Sequence, residues 1–147
     1  MAYFPMFVDL TDANCLVVGG GSVALRKVNV LLDFGAKVHV IAKEISMDLA
    51  ALSEETNHLL LEQREFTPFD LQDRKLVIVA TSDNELNGQI YMMCSEGGIP
   101  VNVVDDQEKC SFIFPSYIKE QNFVGAFSIG GNSPAFTQYL KNKEKDL

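Results

Sequence analysis

The stretch that most constrains this chain is "CLVVGGGSVALRKVNVLL", Cys15 to Leu32. It runs from an apolar segment into three glycines and then into a segment where Ala24, Val28, Leu31 and Leu32 recur at helical spacing, with Arg26, Asn29 and Asp33 on another side. A short, continuous apolar run suits a strand covered on both faces in a parallel sheet. Gly35 is placed to end the helix. Strand, side-chain-free turn and helix make either a phosphate cradle or merely a tight bend, and the rest of the chain has to decide between them.

The rest of the chain repeats the rhythm. "KVHVIA" (Lys37 to Ala42) reads as a second strand, Ser46 as the cap of a helix carrying Leu49 and Leu52, and "HLLLEQREF" as a weaker third strand. Pro68 to Leu71 make a short connection. "KLVIVA" (Lys75 to Ala80) is the fourth strand, and Ser82 with Glu85 fits a capping box opening a helix with Leu86, Ile90, Met93 and Cys94 on its apolar face. Gly97 and Gly98 stop that helix, and "PVNVVDD" (Pro100 to Asp106) is the fifth strand. At the start, "YFPMFVDL" contains Pro5 and suits an edge or entry strand. Strands alternating with helices at this spacing imply right-handed crossovers. The expected fold is α/β, a Rossmann-like doubly wound parallel sheet in the order 3-2-1-4-5.

After Asp106 the rhythm changes. "SFIFPSYIK" and "FVGAFSI" flank Glu120 to Asn122 as a β-hairpin, and Ser133 with Pro134 begins a final helix. The expected division is a Rossmann-like nucleotide-binding domain over 1–110 and a hairpin with a helical region over 111–147. Phe112, Ile113, Phe114, Tyr117, Ile118, Phe123 and Phe127 make the hairpin apolar enough to predict self-association, or else packing against the chain's own sheet.

With 147 residues, 47% of them hydrophobic, the chain can bury one substantial core. No apolar run approaches the roughly 18 residues of a membrane span, and no secretory leader opens the sequence, so no membrane partner is expected and the cytoplasm is the default location. Cys15, Cys94 and Cys110 are an odd, scattered set and read as buried thiols. His39 and His58 have no partner at metal-ligand spacing, and no metal site is expected. The net charge of -8 argues against nucleic acid, and a polyanionic substrate would need a local cationic patch. Arg26, Lys27, Lys109 and Lys119 are the candidates for it. There is no P-loop and no nucleophile elbow.

In its strand-turn-helix context, Gly19 to Ala24 is G-x-G-x-x-A. Gly19 permits the tight turn, Gly21 lets a pyrophosphate approach the backbone, and Ala24 lets the helix pack closely on the strand. The acidic residue expected at the end of the second strand is displaced. Lys43 stands there with Glu44 after it; Glu44 can reach a ribose and Lys43 can tolerate a 2′-phosphate, which leaves NAD and NADP both open on physical grounds. Ligands of such sheets lie outside the carboxyl ends of the strands. "ATSDN" and "VVDD" end there, so Thr81 can touch a cofactor or simply cap a helix, and Asp105 can face a nicotinamide or merely start a loop. Hydride transfer suits this layout, because the cofactor carries the chemistry and the protein has only to position rings and manage a proton.

"YFPMFVDL", "CLVVGGGSVALRKVNVLLDFGAKVHVIA", "LVIVATSDNELN", "VNVVDDQEKCSFIFPS" and "GGNSP" together resemble the precorrin-2 dehydrogenase family, the N-terminal region of siroheme synthases. The resemblance covers nearly the whole chain in order and spacing. It implies NAD-dependent oxidation of the tetrapyrrole precorrin-2 to sirohydrochlorin in siroheme biosynthesis, with Asp105 as the catalytic residue. It also implies cofactor contacts at Ser22, Val23, Lys43, Glu44 and near Thr81, and the nicotinamide is expected near Val104 and Asp105. Some relatives also insert iron, while others leave that to a separate chelatase. The resemblance further implies a homodimer built through the hairpin and following helices. Relatives continue into a further helical segment, so the helical region ending at Leu147 is expected to be either cut short or minimal. The competing reading is a non-catalytic module that senses NAD(H) and has no need of a carboxylate at Asp105.

Overall fold

The computed structural model describes residues 2–128 and 142–143. The final helix expected from Ser133 and Pro134 lies outside them. Five strands form a parallel sheet: β1 (Asn14–Val18), β2 (Lys37–Ala42), β3 (Leu59–Gln63), β4 (Leu76–Val79) and β5 (Val101–Val103). Their order is β3-β2-β1-β4-β5, as the alternating rhythm predicted. The intervening helices are α1 (Ser22–Asp33), α2 (Met47–Glu55) and α3 (Asn84–Gly97), and a 3-10 turn at Pro68–Leu71 leads into β4.

Both faces of the sheet are covered, which explains the unbroken apolar runs. Cys15 to Val18 and Leu76 to Val79 are all buried. Ala24, Val28 and Leu31 of α1 are buried on the predicted stripe. Leu16, Val18, Ile41, Val77, Val79 and Val101 share one cluster with Ile90 and Cys94 of α3. Each such aliphatic side chain contributes roughly 1.5–3 kcal/mol of burial. The helices end as the glycines dictate: Gly35 follows α1 at φ +82° and Gly98 caps α3 at φ +68°, both left-handed.

The boundaries differ from expectation in three places. Tyr3 to Leu10 form no strand; Pro5 lacks an amide donor, and β3 and β5 hold the sheet's edges. Helix α3 is capped by Asp83, whose Oδ1 accepts the Leu86 amide at 3.1 Å, and not by Ser82. Strand β5 stops at Val103 because the Asp106 amide turns back onto the Val103 carbonyl at 3.1 Å.

Val8–Ile113 forms one compact unit. The other includes the hairpin of β6 (Ser116–Glu120) and β7 (Phe123–Phe127), which pair antiparallel from Ser116↔Phe127 to Glu120↔Phe123. Most of the hairpin's apolar side chains are half-buried and Phe123 is exposed; Phe4, Met6 and Phe7 of the same unit are exposed as well.

His39 sits in a polar network on β2. Its Nε2 lies 2.8 Å from Glu62 Oε1, and Arg74 donates to its Nδ1 at 2.7 Å. Arg64 joins Glu62 to the buried Asp70 through a bidentate pair at 2.7 and 3.0 Å. Burial, then the Arg74 guanidinium, hold His39's pKa below the ordinary imidazole value of 6.5, against the pull of Glu62. A histidine with a depressed pKa takes up its proton more readily unfolded, so stability is lost as pH falls below about 6.5. Thermal unfolding followed across that window is expected to show this loss, and His39→Gln to flatten it.

Candidate functional site

The three glycines serve different masters. Gly19 has φ +134°, and a Cβ there would sit 2.3 Å from the Ala80 carbonyl oxygen. A Cβ on Gly20 would sit 2.0 Å from the Glu44 carbonyl oxygen and 2.9 Å from the Ala42 side chain. The turn is therefore wedged between the loops that follow β2 and β4. It is tied down by the Gly19 amide on the Ile41 carbonyl at 3.0 Å and the Ser46 amide on the Gly20 carbonyl at 2.9 Å. Gly21 is different. Its backbone is extended (φ -99°, ψ -160°), a conformation open to any residue, and nothing lies within 4 Å of where its Cβ would be. Neither the fold nor a neighbouring atom demands glycine at this position, so the space kept clear there is available to a ligand.

Gly21 is also the N-cap of α1, and it brings no side chain to the helix's opening amides. Among the described residues, α2 and α3 are capped by Ser46 and Asp83, whereas α1 has no side-chain cap and no acidic residue in its first turn. Opening amides without intrahelical partners, at the positive end of the helix dipole, are suited to a phosphate. Ser22 and Val23 carry the first of them, and Ala24 is fully buried against the sheet. The residues present fit a diphosphate.

The neighbouring segments converge on this turn. Lys43 and Glu44 follow β2 with both side chains exposed. Lys43 makes a 3.4 Å pair with Glu65, an exposed contact of little energetic weight. Thr81 stands after β4. Its hydroxyl donates to the Asn87 amide oxygen and accepts the Asp83 amide at 3.1 Å, so it organises the start of α3. Val104 is anchored by its amide on the Val79 carbonyl at 2.9 Å, which sets the β5 turn beside the same end of β4.

Asp105 is the third residue of that turn. The Asp106 amide reaches the Val103 carbonyl, and Asp105 takes φ +64°. Positive φ at the third position of a β-turn is the mark of type II, which favours glycine or asparagine. An aspartate there is strained by about 1–2 kcal/mol, and its side chain is exposed. Asp106 pairs with Lys109 at 2.8 Å. On the α1 side, Lys27 is half-buried; burial, then Arg26, push its ammonium pKa down, opposed by Asp105 and Cys110.

Two features were not read from the sequence. Gly20 occupies a variable position of the pattern, and only the approach of the Glu44 carbonyl shows why it has no side chain. Cys110, grouped above with buried thiols, is half-buried and donates through Sγ to the carbonyls of Val103 at 3.2 Å and Asp106 at 3.3 Å. The run of three glycines was a signal for the first; nothing in the sequence marked the second.

A glycine turn of this form, where the order of a doubly wound sheet reverses between β1 and β4, defines a dinucleotide-binding domain of the Rossmann type. A family model for NAD(P)-binding matches residues 6–116, and the chain belongs to that NAD(P)-binding family. All 147 residues align with the siroheme synthase of Nitrosomonas eutropha at 40% identity, and with that of Neisseria meningitidis serogroup C at 43%. The siroheme synthase of Thioalkalivibrio sulfidiphilus is 44% identical over 97% of the chain. The chain spans about a third of these relatives' length, 31%, 30% and 29% respectively. The fold is shared with the solved structure of SirC, precorrin-2 dehydrogenase, at a TM-score of 0.84 and 24% identity over 98% of this chain and 70% of that one. No helix among the described residues is long and apolar enough to cross a membrane.

Proposed function

We propose that this chain is an NAD-dependent dehydrogenase that oxidises precorrin-2 to sirohydrochlorin in siroheme biosynthesis. The observations that carry the reading are the clear space at Gly21, at the uncapped start of α1, and an exposed carboxylate, Asp105, held at positive φ in the turn that follows β5. The alignment of all 147 residues with part of the siroheme synthases supports the choice of substrate.

In this reading Gly19 shapes the turn, and Gly21 with the amides of Ser22 and Val23 would hold the diphosphate. Lys43 and Glu44 would contact the adenosine ribose, Thr81 would steady the cofactor side of the cleft, and Val104 would contact the nicotinamide. When bound, the nicotinamide supplies the hydride acceptor. Asp105 takes the proton that leaves the macrocycle, a role worth roughly 10²–10⁴-fold for a positioned general base. Arg26 and Lys27 on α1 offset the substrate's carboxylates, and Lys109 pairs with Asp106 at 2.8 Å. The test is NADH absorbance on adding freshly generated precorrin-2. A chain that binds NAD(H) yet produces no NADH with the tetrapyrrole is a sensor and not this enzyme.

The reading extends to organisation. Residues 1–110 are assigned to the nucleotide-binding part and 111–147 to a dimerisation region, in a cytoplasmic homodimer. Exposed Phe4, Met6, Phe7 and Phe123 support self-association. Sedimentation at micromolar concentration is expected to give twice the 16.3 kDa chain mass. A monomer under those conditions removes the dimer from the proposal.

A further inference from the structure

The segment after Asp105 is stitched back to β5 at three points. The Ser111 hydroxyl accepts the Val101 amide at 2.9 Å, the buried Asn102 side chain donates to the Phe112 carbonyl at 3.0 Å, and Asn102 and Cys110 form an isolated antiparallel bridge. These contacts place the Cys110 thiol inside the turn. Its two acceptors, the carbonyls of Val103 and Asp106, are the first and last residues of the turn whose strained third residue is Asp105. A single S–H shared between them ties both ends of the turn to one point. Burial raises the pKa of this thiol, so it stays protonated and able to donate.

We propose that Cys110 is a positioning residue for the reaction, its thiol clamping the Val103–Asp106 turn so that the Asp105 carboxylate is held toward the cleft. The inference rests on the reading of Asp105 as the proton acceptor of a dehydrogenase. The residue does not touch the substrate; it acts through the turn. Without the clamp, Asp105 can relax from φ +64° toward ordinary conformations that aim its side chain differently.

The test uses the full chain with Asp105→Asn, Cys110→Ala, Cys110→Ser and the double variant Asp105→Asn/Cys110→Ala. Each is measured for NADH production from precorrin-2, for NADH affinity by fluorescence and for thermal unfolding. Cys110→Ala is expected to lower kcat about tenfold, the worth of one such hydrogen bond, with NADH affinity and KM within about twofold of the parent. Cys110→Ser keeps a donor at the same branch point and is expected to recover most of that loss. In the Asp105→Asn background, Cys110→Ala is expected to cost nothing further, because the group it positions is gone. Unchanged kcat in Cys110→Ala overturns the proposal. So does a parallel loss of kcat, NADH affinity and melting temperature that serine does not repair, which marks ordinary destabilisation. Full turnover in Asp105→Asn alone overturns the dehydrogenase role given to Asp105, a failure separable from that of the clamp.

Discussion

Asp105→Asn is expected to fold and bind NADH as the parent chain does and to lose about 10²–10⁴-fold in kcat for precorrin-2 oxidation. Asparagine is isosteric and tolerates the left-handed region, so the type II turn at φ +64° survives the exchange. Only the capacity to accept a proton is removed. Asp105→Gly sharpens the test. Glycine relieves the strain, and the variant is expected to be more stable by about 1 kcal/mol while equally inactive. A chain that gains melting temperature as it loses turnover retains a strained aspartate for function. If both variants keep full kcat, Asp105 is an ordinary turn residue and the chemistry belongs elsewhere.

The glycine turn gives the second large effect, and its three positions are expected to behave differently. Gly19→Ala forces an L-residue to φ +134° and drives its Cβ to 2.3 Å from a backbone oxygen with no room to retreat. Strain and overpacking together are expected to cost about 3–5 kcal/mol, enough to unfold a marginal domain. Gly20→Ala meets the Glu44 carbonyl at 2.0 Å and belongs to the same class. Gly21→Ala meets nothing and needs no unusual backbone. Its melting temperature is expected to match the parent's, while NADH affinity falls about 10–10²-fold as one or two charge-assisted contacts to the diphosphate are lost. Calorimetry and fluorescence titration on the same three variants separate the outcomes. Parent-like affinity in Gly21→Ala removes the diphosphate from that space.

The parallel sheet was legible because both its faces are covered: "CLVV" and "LVIV" carry no alternation, and the intervening helices show an apolar stripe that ends in glycine. Strand order followed from chirality and the alternation of elements. What escaped the sequence depended on distant partners. Pro5 left "YFPMFVDL" readable as an edge strand, but whether an edge is vacant depends on the rest of the sheet. Ser82 and Asp83 are both good caps, and a one-residue difference in where α3 begins selected Asp83. At the site, the glycine spacing was visible, but the reason Gly20 must lack a side chain lies in a carbonyl 24 positions away. The left-handed conformation of Asp105 and the bifurcated thiol of Cys110 are products of how the turn closes, and no composition or period encodes them.

The contact between Gly20 and Glu44 leaves the outer face of the loop open to change. It uses the carbonyl of the loop, not its side chains, and those of Lys43 and Glu44 remain in solvent. The wedge that keeps the bend in shape is thus indifferent to which amino acids occupy 43 and 44. On the proposed reading of Lys43 and Glu44 as ribose-side residues, exchanging charge at these two sites is expected to change the preference between phosphorylated and unphosphorylated coenzymes without refitting the scaffold beneath.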